Sequence, residues 1–158
     1  MKLFAAQALC PEGWRRNVLV DIEGDLIRQV TVDVEPADGV ERMAGPLIPG
    51  MSNLHSHAFQ RAMAGLTERA GPGGDNFWTW RDLMYRFLER ITPEDNEIIA
   101  TQLYIEMLKS GYTSVAEFHY LHHDENGTAY ADSGEMAARI LAQHLRQLAA
   151  KQFWGVLP

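Results

Sequence analysis

A single cysteine, Cys10, stands in 158 residues. No intramolecular disulfide and no multi-cysteine zinc site can form from it, and such economy of thiols fits a reducing compartment, so the cytoplasm is the expected location. Apolar runs are short, all far below the roughly 20 residues that cross a bilayer as a helix. No membrane partner is expected. The leader Met1–Cys10 has only one Lys ahead of a brief apolar stretch and reads as a first strand rather than a signal peptide. Positive charge is also scarce: 14 Lys and Arg against 21 Asp and Glu leave a net charge of −7, with no basic cluster to offset it. A surface that tracks phosphates is therefore excluded, and with it a nucleic-acid partner. With 46% hydrophobic and 22% charged residues, the chain has material for a core and is too mixed for disorder.

The first 45 residues read as short strands, Lys2–Leu9, Val18–Ile22 and Leu26–Val34. The last two flank Glu23-Gly24-Asp25 and form a hairpin signal. Glu35-Pro36-Ala37-Asp38-Gly39 breaks this sheet, and Gly45-Pro46-Leu47-Ile48-Pro49-Gly50 marks a second transition. Beyond it the hydrophobic period changes from two to 3.6. A strand over Met51–His57, helices over Phe77–Ile91 and Pro93–Lys109, a strand over Thr113–Tyr120 and a helix over Ser133–Lys151 suggest parallel βαβ units. Thr92, Pro93 and Asp95 supply an N-cap, a first helical residue and a capping partner, and Gly111 supplies a stop. Gly71-Pro72-Gly73-Gly74 reads as a loop, and Gly155-Val156-Leu157-Pro158 as the start of a further strand.

The sharpest chemical feature is Leu54-His55-Ser56-His57 at the end of the first strand of this second region. Side chains two apart on a strand share a face, so His55 and His57 can reach one metal ion together. A His-x-His pair also occurs as two hydrogen-bonded strand-end histidines, and only context separates the readings. On the helix that follows, Phe77, Trp80, Met84, Phe87, Leu88 and Ile91 fall on one apolar arc. Arg81 is the charged residue that borders it, as a snorkelling stem or as a clamp for a carboxylate. Phe77, Trp78 and Trp80 are expected to pack beneath the rim of the site. Gln60 follows the histidine pair by one turn, as an exposed polar residue or as a hydrogen-bonding amide. Tyr120 ends the next strand, at the rim where barrel active sites are built. His119 is expected on the opposite strand face, His122 and His123 in a polar loop outside any metal site, and His144 on a solvated helix face.

The stretch Pro49-Gly50-Met51-Ser52-Asn53-Leu54-His55-Ser56-His57 resembles the Pro-Gly-x-x-(Asn/Asp)-x-His-x-His signature of the amidohydrolase superfamily. Glu106-Met107-Leu108-Lys109-Ser110-Gly111-Tyr112-Thr113-Ser114-Val115 is similar to its passage from a helix into the second strand. Within the superfamily, three segments are most similar to the deiminases of linear amidines. They are the residues from His55 to Gly65, the aromatic stretch Phe77-Trp78-Thr79-Trp80-Arg81-Asp82-Leu83-Met84-Tyr85, and Ala116-Glu117-Phe118-His119-Tyr120-Leu121-His122-His123. The fold this resemblance implies is α/β, the N-terminal part of a (β/α)8 barrel preceded by a small β-sandwich segment. Residues 1–48 would form the sandwich segment and 49–158 the first two to three βα units.

The activity implied is zinc-dependent hydrolysis of N-formimino-L-glutamate to N-formyl-L-glutamate and ammonia, a step of histidine degradation. His55 and His57 match zinc ligands, with another divalent metal able to substitute. The resemblance favours substrate contact for Gln60; a substrate with two carboxylates makes Arg81 the expected clamp, and Tyr120 at the rim is expected to bind the small-molecule substrate as well. The complete enzyme is compatible with a homodimer.

A barrel needs about eight βα units and roughly 250 residues, so the barrel is expected to be incomplete. The further metal ligands and the catalytic acid–base groups are expected beyond this chain, and the likeness fades from about Leu141. The chain alone is expected to be inactive, with uncovered apolar edges that favour self-association. Two other readings stand beside this one: a non-catalytic module completed by another chain, and an aminohydrolase for another amidine or a purine-like ring.

Overall fold

The computed structural model describes residues 1–68 and 73–141. The chain divides into two compact units, with the boundary after Met51.

The first unit is a four-stranded sheet of order β3-β2-β1-β4, made of β1 (Lys2–Cys10), β2 (Gly13–Glu23), β3 (Leu26–Thr31) and β4 (Glu41–Arg42). β1 and β2 pair antiparallel from Lys2↔Asp21 to Cys10↔Gly13. In the last half of β2 the period-two pattern is explicit, with Val18, Val20 and Ile22 buried against Leu3 and Ala8. The β2–β3 hairpin closes at Glu23↔Leu26, with Gly24 at φ 59° in the turn. The register slips once, between Asp21 and Ile22.

The expected strand to Val34 stops at Thr31, because Asp33 adopts φ 55° and turns the chain. There Asp33 and Val34 donate their N–H groups to the carbonyls of Arg16 and Asn17 at 3.2 and 3.1 Å. After the Pro36–Gly39 break the chain returns as β4, parallel to β1, with Leu3 opposite Glu41. A two-residue strand carries no periodicity, and the sequence offered no sign of it.

The second unit contains β5 (Met51–Ser56), a 3-10 helix (Ala58–Met63), α1 (Phe77–Leu88), α2 (Pro93–Lys109), β6 (Tyr112–Glu117) and a helical stretch at 135–141. β5 and β6 are neighbours in a two-stranded sheet. Ser114 Oγ donates to Ser52 Oγ at 2.8 Å and Phe118 N–H to the Ser56 carbonyl at 2.9 Å. Both contacts join residues 62 apart in sequence, so the strands run the same way and their C-terminal ends meet. The expected βαβ order is the one observed.

Helix α2 has the expected bounds and cap. Thr92 Oγ1 accepts from Asp95 N–H at 3.1 Å, Asp95 Oδ2 accepts from Thr92 N–H at 3.1 Å, and Pro93 opens the helix. Helix α1 begins at the expected Phe77, capped by Asn76, whose Oδ1 accepts from Trp78 and Thr79 N–H. It ends at Leu88, short of Ile91, which is buried all the same after the chain turns.

Phe59, Met63, Met84, Ile91, Leu121 and Met136 form one core, and Ala58, Ala100, Tyr104 and Ile140 a second. Phe77 and Trp78 correct the expected aromatic packing. They are 62% and 63% exposed, and of that trio only Trp80 packs against the core. The remainder of the expected Ser133–Lys151 helix, His144, Gly71, Pro72 and the Gly155–Pro158 stretch lie outside the described residues. Among the described residues, no helix is long and apolar enough to cross a membrane.

Candidate metal centre

β5 delivers its histidines to the strand's C-terminal end. Asn53 Oδ1 accepts the His55 N–H at 3.1 Å and holds the last residues of the strand extended. His55 and His57 straddle buried Ser56, so their rings share the opposite face. Their Nε2 atoms lie 3.0 Å apart.

On the far side of the ring, His57 Nδ1 lies 2.7 Å from the Phe118 carbonyl oxygen. A carbonyl can only accept, so Nδ1 carries the proton and Nε2 presents its lone pair to His55. Without a cation, His55 Nε2–H donates into that lone pair. Two imidazole nitrogens at 2.0–2.1 Å from a tetrahedral ion would stand about 3.3 Å apart, so the pair suits two positions around one cation. An Nδ1–H bound to a backbone carbonyl is also the usual support of a metal-ligating histidine. Among the described residues no group of three or more His, Cys, Asp or Glu side chains converges.

Other side chains gather around His57. The Tyr120 ring lies 5.4 Å from it and also meets Phe59 and Phe118 at 5.7 and 5.1 Å. β6 ends at Glu117, so Tyr120 and His119 stand on the segment after the strand and the expected strand alternation between them does not apply. His119 is half-buried with Nδ1 unpartnered and faces His122, their rings 5.1 Å apart. Burial, reinforced by His122, lowers its pKa against the opposing pull of Glu117. Gln60, in the 3-10 helix, donates its N–H to the His57 carbonyl at 3.0 Å, and its side-chain amide reaches Met84 Sδ at 3.8 Å.

Arg81 is half-buried. Its guanidinium lies 5.5 Å from the Trp78 ring and 5.1 Å from the Tyr85 ring, and it donates to Tyr85 Oη at 3.2 Å. These partners belong to its own helix, so the structure brings His55, His57 and Tyr120 together and leaves Arg81 held within α1.

Glu117 also reaches the histidine motif, although the local sequence pattern does not single it out. Its Oε1 accepts the Ala58 N–H at 2.6 Å, next to His57. A carboxylate closing a strand at the rim was the available signal.

A sheet leading into helix–strand units, with a histidine pair at the C-terminal end of the first of these strands, is the arrangement of metal-dependent hydrolases, and the chain belongs to the amidohydrolase family, whose family model matches residues 47–156. Residues 2–44 match a second family model, described as the formimidoylglutamate deiminase HutF N-terminal domain. A curated formimidoylglutamate deiminase from Pseudomonas aeruginosa is 60% identical over 139 residues, 87% of this chain and 30% of that protein. The chain thus spans about a third of the length of the relatives it matches. The crystal structure of an amidohydrolase from Brucella melitensis is similar with a TM-score of 0.85 and 49% identity, over 92% of this chain and 32% of that one. The zinc complex of atrazine chlorohydrolase TrzN from Arthrobacter aurescens, at 19% identity and a TM-score of 0.60 over 94% of this chain and 33% of that one, shares the fold.

Proposed function

We propose that this chain is the N-terminal part of a zinc-dependent enzyme that hydrolyses N-formimino-L-glutamate to N-formyl-L-glutamate and ammonia. Residues 1–48 would form its β-sandwich segment and 49–158 its first βα units. The observation that carries the reading is the convergence of His55 and His57 Nε2 at 3.0 Å, in a chain 60% identical to a formimidoylglutamate deiminase over 139 residues. His55 and His57 would hold the zinc ion, which when bound lowers the pKa of water to about 7 and so supplies a nucleophile at neutral pH.

The remaining roles belong to the chain's own side chains. Arg81 binds a substrate carboxylate through a planar fork suited to two-point contact, and its stacking between Trp78 and Tyr85 limits the freedom lost on binding. Tyr120 turns its phenol toward a substrate oxygen beside His57. Gln60 offers an amide, as donor or acceptor, to the formimino group or a carboxylate. A small-molecule substrate with two carboxylates explains why an arginine borders an apolar helix face. Two imidazoles fall short of the three protein ligands of a catalytic zinc, so the 158-residue chain alone is expected to release no ammonia.

Ammonia release from N-formimino-L-glutamate, with zinc supplied and a chelator control, tests this reading. A barrel that contains this chain with its further strands should turn over, and the chelator should abolish turnover. In that barrel Arg81→Ala should raise KM tenfold or more, with kcat changed far less. An unchanged KM would remove Arg81 from the substrate site, and turnover by the 158-residue chain alone would refute the two-ligand argument.

A further inference from the structure

The end of β6 grips the histidine motif at two successive points. The Phe118 carbonyl accepts from His57 Nδ1 at 2.7 Å, and the Glu117 carboxylate accepts from Ala58 N–H at 2.6 Å. Consecutive residues of one strand end therefore hold consecutive residues of the other. The Ala58 amide opens the 3-10 helix, where an N–H has no partner within the helix and a carboxylate makes a strong, charge-assisted bond.

The second oxygen of Glu117 makes this arrangement costly. Oε2 and the Tyr104 hydroxyl are both buried, and neither makes a well-formed hydrogen bond. Burial first, then the Glu117 charge and the approach of the Glu117 carboxylate as hydrogen-bond partner, push the Tyr104 phenol far above its ordinary pKa. An unsatisfied buried polar atom costs about 1–3 kcal/mol, so a carboxylate kept here for stability alone has little to recommend it. An apolar side chain next to Ala58 and Tyr104 would extend the core those two residues share.

We propose that Glu117 is a positioning residue for His57: by holding the Ala58 N–H it fixes the backbone that, with the Phe118 carbonyl, keeps the His57 ring in the Nδ1–H tautomer and aims Nε2 at His55. The ring cannot turn away without giving up the Phe118 bond. The Phe118 bond in turn lasts only while residues 57 and 58 stay seated against the strand end. As far as it concerns a bound cation, the inference rests on the metal-site reading above.

The experiment uses the 158-residue chain and its Glu117→Leu, Glu117→Gln and His57→Asn variants. Imidazole nitrogen NMR at a pH of about 8, above the ordinary imidazole pKa of about 6.5, reports the His57 tautomer with no metal present. Calorimetric titration with zinc ion alone reports affinity, and thermal melting reports folding. Wild type should show a single Nδ1–H tautomer. Glu117→Leu should show mixed tautomers and about a 10-fold or greater loss of zinc affinity, the range for outlying partners of metal ligands. Glu117→Gln keeps an acceptor oxygen and should match wild type in both.

A folded Glu117→Leu variant with an unchanged tautomer overturns the proposal. A folded Glu117→Gln variant as disturbed as the Leu variant also overturns it, because the acceptor is then not what matters. If wild type and His57→Asn bind zinc equally poorly while the tautomer still follows residue 117, the positioning stands and the metal reading fails.

Discussion

Asn96 shows at the residue scale how a polar side chain enters a core without full compensation. It is 0% exposed in the first turns of α2, its Nδ2 donates to Met136 Sδ at 3.6 Å, and its Oδ1 has no partner. A thioether is a weak acceptor, so Asn96→Leu, which keeps the branched shape in a somewhat larger side chain, removes an unsatisfied atom and orphans almost nothing. Thermal melting should show the variant at least as stable as wild type, and a clear drop in Tm would mean that the amide has a partner or that the larger side chain overpacks the site. His119 carries a pH dependence. A base whose pKa is lowered in the folded state binds fewer protons there than in the unfolded chain, so its contribution to stability is complete above about pH 6.5 and declines as pH falls toward the lowered value. His119→Gln should flatten that decline in urea titrations between about pH 7 and 5. Equal slopes would mean that the ring is solvated.

Caps and ion pairs set the behaviour of the elements. The Thr92–Asp95 box at α2 is reciprocal, and Thr92→Ala should cost about 1 kcal/mol, read from urea midpoints at constant slope. The 3-10 helix is tied to α2 by Arg61, whose Nε and an Nη atom donate to both oxygens of Glu106 at 2.8 and 2.9 Å. Arg61, aided by Gln102, draws the Glu106 carboxyl down to about 2. A depressed carboxyl contributes stability above its unfolded pKa of about 4.3 and loses it as pH falls toward the folded value. Glu106→Gln should therefore be slightly less stable than wild type at neutral pH, with the gap closing toward the acid limit. A gap independent of pH would assign the loss to packing. The pair is solvent-exposed, so its effect is small and weakens with salt. Helix α2 was legible because its cap, proline and stop are local, whereas Ala58–Met63 carries no such punctuation and becomes a 3-10 helix under contacts from α2 and β6.

At the scale of the molecule, much apolar surface stays in solvent. In the first unit Trp14, Leu26, Ile27 and Val30 are exposed, Ile27 at 65%; in the second, Leu54 of the two-stranded sheet reaches 81%. Exposed apolar groups on short sheets favour association. Sedimentation velocity should show concentration-dependent oligomers of the 158-residue chain, and Ile27→Lys should lower the oligomer fraction. A compact wild-type monomer at all concentrations would refute the expectation.

The alternation of β5 and β6 with α1 and α2, the β2–β3 hairpin, the bounds of α2 and the pairing of His55 with His57 on one face were determined by the sequence alone, since each depends on spacing or capping within a few residues. Tertiary structure decided what depends on residues far apart. The approach of β6 placed the Phe118 carbonyl on His57 and Glu117 on Ala58, and set Tyr120 beside the histidine ring. Phe77 and Trp78 lie outside the core although they open a helix whose apolar arc is plain, and Ile91 is buried beyond the end of that helix. Periodicity records which side chains can share a face; only the packing of other elements determines whether that face is covered, and which tautomer and direction a histidine adopts upon it.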